Sequence, residues 1–195
     1  MPGNRFPESS AGFSQAVAEL AAMQWRPELS VEQVGSPQRI APYSVAASAE
    51  VTSGDSAVST GRIILLHNPR GDAAWEGDYR CVIYVRAEVD SDMVSDPLLS
   101  EVGWSWLSDS LDQREAAHTH PAGTVTVSYS RSFGAIASAD DNAEIELRAS
   151  WTPQLDQGQS FVPHLEAFQD LLYAVGGLPP LPNGVFYLQR IGRRG

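Results

Sequence analysis

The stretch Asp78-Tyr-Arg-Cys-Val-Ile-Tyr-Val-Arg-Ala-Glu-Val89 decides the fold. Tyr79, Cys81, Ile83, Val85 and Val89 fall on one side of an extended chain, and Arg80, Tyr84, Arg86 and Glu88 fall on the other. Apolar residues at every second position mark a strand with one face in a core and the other in water. One-faced alternation is the habit of antiparallel sheets; parallel sheets, covered on both faces, read as continuous apolar runs.

The same period appears on both sides of this strand. Upstream, Tyr43, Val45, Ala47, Ala49 and Val51 alternate with Ser44, Ala46, Ser48 and Glu50, and Arg62 to His67 is a second, more continuously apolar strand. The Gly/Ser-rich residues 52–60 are expected to turn the chain. Residues 68–78, with Pro69, Gly71 and Gly77, read as a long hairpin loop carrying Trp75. Downstream, Val125, Val127, Tyr129 and Phe133 alternate with hydroxyl residues, and Ile145, Leu147, Ala149 and Trp151 alternate with Glu144, Glu146 and Arg148. An acidic turn around Asp140 to Asn142 joins these two strands as a hairpin.

Helical spacing occurs three times. Ser9 or Ser10 can cap a helix running to about Gln24, with Phe13, Val17 and Leu20 on one stripe. Asp96-Pro97 is a helix start, because Asp accepts from orphan amides and Pro suits the first turn; that helix reaches about Gln113. It carries two stripes, Leu98, Leu99, Val102 and Trp106 on one side, and Trp104, Leu107 and Leu111 nearly opposite. A third helix spans Pro163 to Val175 with Leu165, Phe168, Leu172 and Val175 inward, ended by Gly176 and Gly177. Residues 25–42 hold three prolines and no clean period, and read as an irregular connection with a short helical turn near Val31 to Val34. Val185 to Ile191 reads as a short edge strand, and 192–195 as a solvated, flexible tail.

The order α-βββ-α-ββ-α predicts an α+β fold: a single antiparallel sheet of about five strands, six with Val185 to Ile191, and helices on one face. One domain is expected over residues 1–195.

Composition narrows the functions. Net charge is −11, and all thirteen cations are Arg, with no Lys anywhere. An acidic field repels phosphate backbones and anionic lipid, which disfavours nucleic-acid and membrane-surface binding. Without Lys there is no Schiff-base amine and no phosphate-binding Lys. Cys81 is alone, so neither an internal disulfide nor a Cys-rich zinc site can form. The polar N-terminus, with Pro2 and Pro7, does not read as a signal peptide, and no apolar run approaches the ~20 residues of a membrane span. A cytoplasmic protein is expected.

Each candidate constellation meets a plainer reading. His118 and His120 share a face of an extended segment and, with Glu115 nearby, could hold zinc with an open position, but they lie in a polar loop with no third ligand fixed by spacing. Cys81 sits mid-strand on the core side, where a thiol is desolvated and inert. Gly103-Trp-Ser-Trp-Leu lacks the second Gly of a nucleophile elbow and lies within a helix. Arg80, Tyr84 and Arg86 project from the polar sheet face, where an RNA platform would need more than one aromatic and fewer interrupting Glu residues. No catalytic, cofactor or metal residue is assigned. The residues expected to meet a partner are Arg80, Tyr84 and Arg86 on the sheet, and Trp104, Leu107 and Leu111 on the second helix, the latter through a homodimer contact unless the last helix of the same chain covers that stripe.

Two resemblances bear on this. Asp96-Pro-Leu-Leu-Ser-Glu-Val-Gly-Trp-Ser-Trp-Leu, Glu146-Leu-Arg-Ala-Ser-Trp-Thr-Pro and Gly177-Leu-Pro-Pro-Leu-Pro resemble an actinobacterial family of uncharacterised proteins, domain of unknown function 3000, which implies a bacterial cytosolic setting and no transferable activity. The element order is similar to that of type III secretion chaperones, which implies a small acidic dimer binding segments of other proteins. The function expected is therefore a non-catalytic, chaperone-like or regulatory module with a polypeptide partner. The rivals are an enzyme with a cleft around His118 and His120, and an RNA-associated accessory factor.

Overall fold

The computed structural model describes residues 10–37, 39–134, 142–155 and 158–178. The chain runs through α1 (Ala11–Ala22), β1 (Leu29–Val34), β2 (Tyr43–Ser53), β3 (Ser56–Asp72), β4 (Gly77–Glu88), a 3-10 turn (Met93–Ser95), α2 (Leu99–Gln113), β5 (His118–Ser130), β6 (Asn142–Pro153) and α3 (Val162–Val175). The strands form one antiparallel sheet in the order β1-β2-β3-β4-β6-β5. The fold is α+β, with six strands among the described residues where about five were expected.

The sixth strand is not the expected one. β1 lies inside the segment that reads as irregular, pairing Leu29 with Val51 through Val34 with Ala46. Pro27, Pro37 and Pro42 flank it, so they bound the strand without removing a ladder amide. The expected edge strand at Val185 to Ile191, and the tail beyond it, lie outside the described residues.

The hairpins are longer than the loops predicted. Where residues 52–60 were expected to turn, Ser53 already pairs with Ser56, and Gly54 supplies the positive φ (63°) that a two-residue loop needs. The loop expected at 68–78 shrinks because Asp72 pairs with Gly77, after an irregularity in the register beyond His67. Four residues remain at the tip, among them Glu76 at φ 51°.

The three helices cover one face. The core row Ile63–Ile83–Ala149 and its neighbours Val85–Leu147 and Cys81–Trp151 belong to one buried cluster with α3 residues Leu165, Phe168 and Leu172. A Cβ at Gly61 would meet Leu172 Cδ2 at 2.8 Å, so glycine permits the close approach of α3 to β3. Ser10 caps α1, its Oγ accepting from the Phe13 amide at 3.2 Å. Phe13 stacks on His67 at 5.5 Å, over the row Tyr43–His67–Tyr79. α2 begins later than Asp96-Pro97 predicts, because Met93–Ser95 forms its own turn first; Asp96 Oδ1 accepts from the Leu98 amide at 2.9 Å, ahead of the helix. Among the described residues no helix is long and apolar enough to cross a membrane.

Candidate functional site

The sheet face without helices carries Arg80, Tyr84 and Arg86, and all three are engaged by their own chain. The Tyr84 hydroxyl donates to Glu146 Oε2 at 2.8 Å, Arg86 pairs with Glu144 at 2.6 Å, and Arg148 pairs with Glu146 at 2.7 Å while lying 5.5 Å over the Tyr84 ring. Arg80 donates to Ser150 Oγ, Thr152 Oγ1 and the His120 carbonyl. Arg80 and Arg86 therefore cross to β6 or β5 neighbours, while Arg148 pairs within β6. The Tyr84 hydroxyl bond holds the Glu146 carboxyl below its usual range, and burial and that carboxylate push the Tyr84 phenol up. A base seeking to stack on Tyr84 would have to displace Arg148, so this face is an internally bonded polar lattice.

The paired histidines do not converge. His118 and His120 lie within β5, not in a loop, and a bulge between Thr119 and Ala122 breaks their common spacing, with His120 at φ 53°. His120 Nε2 faces Glu76 at 3.1 Å on the β3–β4 tip, whereas His118 Nδ1 lies 2.7 Å from the Ala116 carbonyl. Among the described residues no group of three His, Cys, Asp or Glu side chains is placed to hold a metal. Cys81 is fully buried, and desolvation pushes its thiol far above the ordinary range.

α2 corrects the expectation about its two stripes. Leu107 and Leu111 are each 1% exposed, covered by α3 and the sheet of the same chain, so neither is available to a second copy. Trp104 rests over β5, where a Cβ at Gly123 would meet its Cζ3 at 2.9 Å. Gly103 belongs to the buried stripe with Leu99 and Leu107, and its Cβ would meet Ile145 and Val125 at 3.0 and 3.1 Å. The other expected stripe splits: Leu98 and Val102 face outward at 55% and 40% exposed, whereas Leu99 is buried with Leu107. The sequence signal for this was Gly103: a glycine in a helical stripe marks the side where backbone approaches backbone.

β5 is an edge strand, paired only with β6 among the described residues. The 3-10 turn and α2 both pack on it. Its first half is protected by the bulge and Pro121. Its second half, Gly123-Thr-Val-Thr-Val-Ser-Tyr-Ser130, contains no charged residue and no proline. Natural edges are blunted by charges, prolines, bulges or shortness. β1, at the opposite edge, has six residues and carries Glu32. Among the described residues the Gly123–Ser130 edge has none of these devices, and exposed Met93 lies on the 3-10 turn that packs on β5. The alternation of this strand was legible in the sequence, whereas its place at the edge depends on strand order, which the sequence does not encode locally.

No curated protein and no solved structure matches the chain. Residues 9–186 match the family described as protein of unknown function (DUF3000), and the chain belongs to that family.

Proposed function

We propose that this protein is a non-catalytic, chaperone-like polypeptide-binding module that takes an extended segment of its partner as an added strand on β5. The observation that carries the reading is the Gly123–Ser130 edge, which has no charge or proline and pairs only with β6 among the described residues. An incoming strand would satisfy the outward backbone N–H and C=O groups, and its alternate side chains would lie beside Trp104, which rests over β5. Net charge of −11 favours a partner segment with basic residues, through faster encounter and suppression of acidic competitors. The lone, buried Cys81 suits a reducing, cytoplasmic setting. A second copy of the chain presents the same edge, and β5 against β5 would make the homodimer.

Copurification from native lysate, with mass spectrometry of the stoichiometric polypeptide, identifies the partner; light scattering separates it from self-association. Hydrogen exchange on the complex then reads the site, with protection gained by amides in Gly123–Ser130. Thr126→Arg with Ser128→Arg places cations opposite Glu146 and Glu144 of the same sheet, so the fold is retained while the edge is blunted and binding is lost. A partner that leaves β5 exchange unchanged refutes the reading.

A further inference from the structure

A cleft of about 370 Å³ lies between α2, α3 and the residues leading into β1, away from the β5 edge. Trp106, Tyr173, Ala174 and Leu178 give it apolar walls, and Arg26, Asp109, Arg114 and Asp170 are its charged residues. The two cations differ. Arg114 is satisfied by Asp170, bidentate at 2.6 and 3.0 Å, and by Glu166 at 3.5 Å. Arg26 is not. Its side chain is 9% exposed, its Nε is buried without a hydrogen-bond partner, and the nearest carboxylate oxygen, Glu28 Oε2, stands at 3.7 Å.

Arg26 is nevertheless held in place. Its guanidinium carbon lies 3.5 Å from the centre of the Tyr173 ring, whose hydroxyl donates to Glu28 Oε2 at 3.0 Å. Its backbone amide donates to Gln169 Oε1 at 2.9 Å. A guanidinium stacked on an aromatic face, with its planar fork unused by hydrogen bonds, is pre-organised for a two-oxygen anion. The Nε is closed to solvent and stays without a partner, so a ligand in the cleft has the two terminal guanidinium nitrogens to bond.

We infer that this cleft binds a small carboxylate with an aromatic or branched apolar body, its carboxylate on Arg26 and its body against Trp106 and Leu178. The carboxylates of Asp109, Asp170 and Glu28 outnumber the guanidiniums of Arg26 and Arg114, so a ligand with one negative charge is tolerated better than a doubly charged phosphate. The volume is that of a small-molecule site. The same chemistry is offered by a free carboxylic acid and by the C-terminus of a peptide ending in an apolar residue.

The test titrates the full-length protein with 3-phenylpropionate, its amide, and an N-acetylated tripeptide ending in leucine with and without C-terminal amidation, following the Trp106 indole N–H by NMR. The acid is expected to give saturable shifts and to bind at least about tenfold tighter than the amide, a ratio expected of a charged hydrogen-bonded pair. Arg26→Gln should abolish that ratio and Arg26→Lys restore part of it. If Arg26→Gln fails to fold, the acid-to-amide ratio on the wild-type protein still decides. Saturation by the acid supports a free carboxylate, and saturation by the tripeptide alone, lost on amidation, supports a peptide C-terminus. Equal affinity of acids and amides, or no saturable shift with any probe, overturns the inference. The β5 variants leave this binding unchanged, which separates it from the fate of the edge-strand reading.

Discussion

His164 makes the stability of this protein fall with acid. Its ring is 1% exposed at the start of α3, and Nδ1 accepts the Trp151 indole N–H at 3.1 Å, so the imidazole carries its proton on Nε2. Protonating Nδ1 would break that bond and place a charge in the core. Burial first, and the charge of His118 second, push its pKa down to about 3 from an ordinary 6.5. The folded value lies below the unfolded one, so the contribution is complete above pH 6.5 and is lost as the unfolded chain takes up the proton that the folded chain refuses. Going from about pH 7.5 to 5.5, the linkage relation gives a loss of about 1.4 kcal/mol from this residue alone. His67, likewise depressed by burial, adds a loss of the same sign. His164→Gln keeps an acceptor for Trp151 and removes the titration, leaving His67 in place. Urea unfolding followed by tryptophan fluorescence at the two pH values, for wild type and variant, isolates the term. The variant should lose about 1.4 kcal/mol less than wild type. Equal losses would refute the assignment of a neutral, buried His164.

Leu107→Asp and Leu111→Asp should each cost more than about 3 kcal/mol, seen as loss of cooperative melting by far-UV circular dichroism, because each buries a charge without a partner. Leu98→Asp and Val102→Asp should stay within about 0.5 kcal/mol, and the reverse ranking would show that α2 turns its other stripe to the core. The Cys81 thiol should resist an aromatic disulfide reagent in native buffer and react only as fast as the protein opens, so that its rate follows the urea unfolding curve; rapid native labelling would contradict its burial.

What could be read from the sequence depended on whether a residue's environment is set by its neighbours in the chain. β4 and β6 were legible because every core-side position between Tyr79 and Val85, and between Ile145 and Trp151, is apolar, small or sulfur-bearing. α3 was legible from its stripe and its terminal glycines, Gly177 at φ 69° among them. β1 was hidden because six residues with only Leu29 and Val31 alternating give too short a pattern, and prolines on both sides draw attention away. Choosing the buried side of α2 required knowing where α3 lies. Arg26 gave no signal at all, since its unusual state comes from Tyr173 and Gln169, far along the chain.

The polar lattice on the uncovered sheet face has a consequence for how the sheet is assembled. β6 enters between β4 and β5, meeting a strand that was synthesised long before it, with Cys81 against Trp151 and Arg86 against Glu146. Sliding β6 by one residue would turn Ile145, Leu147 and Trp151 to water. Sliding it by two in one direction would set Arg86 against Arg148 and Glu88 against Glu146. Sliding it by two in the other would leave Cys81 and drive the Trp151 ring against Tyr79. The charges that look like a binding surface thus work together with one small-to-large pair as a key, cut so that the returning strand fits its lock in a single position.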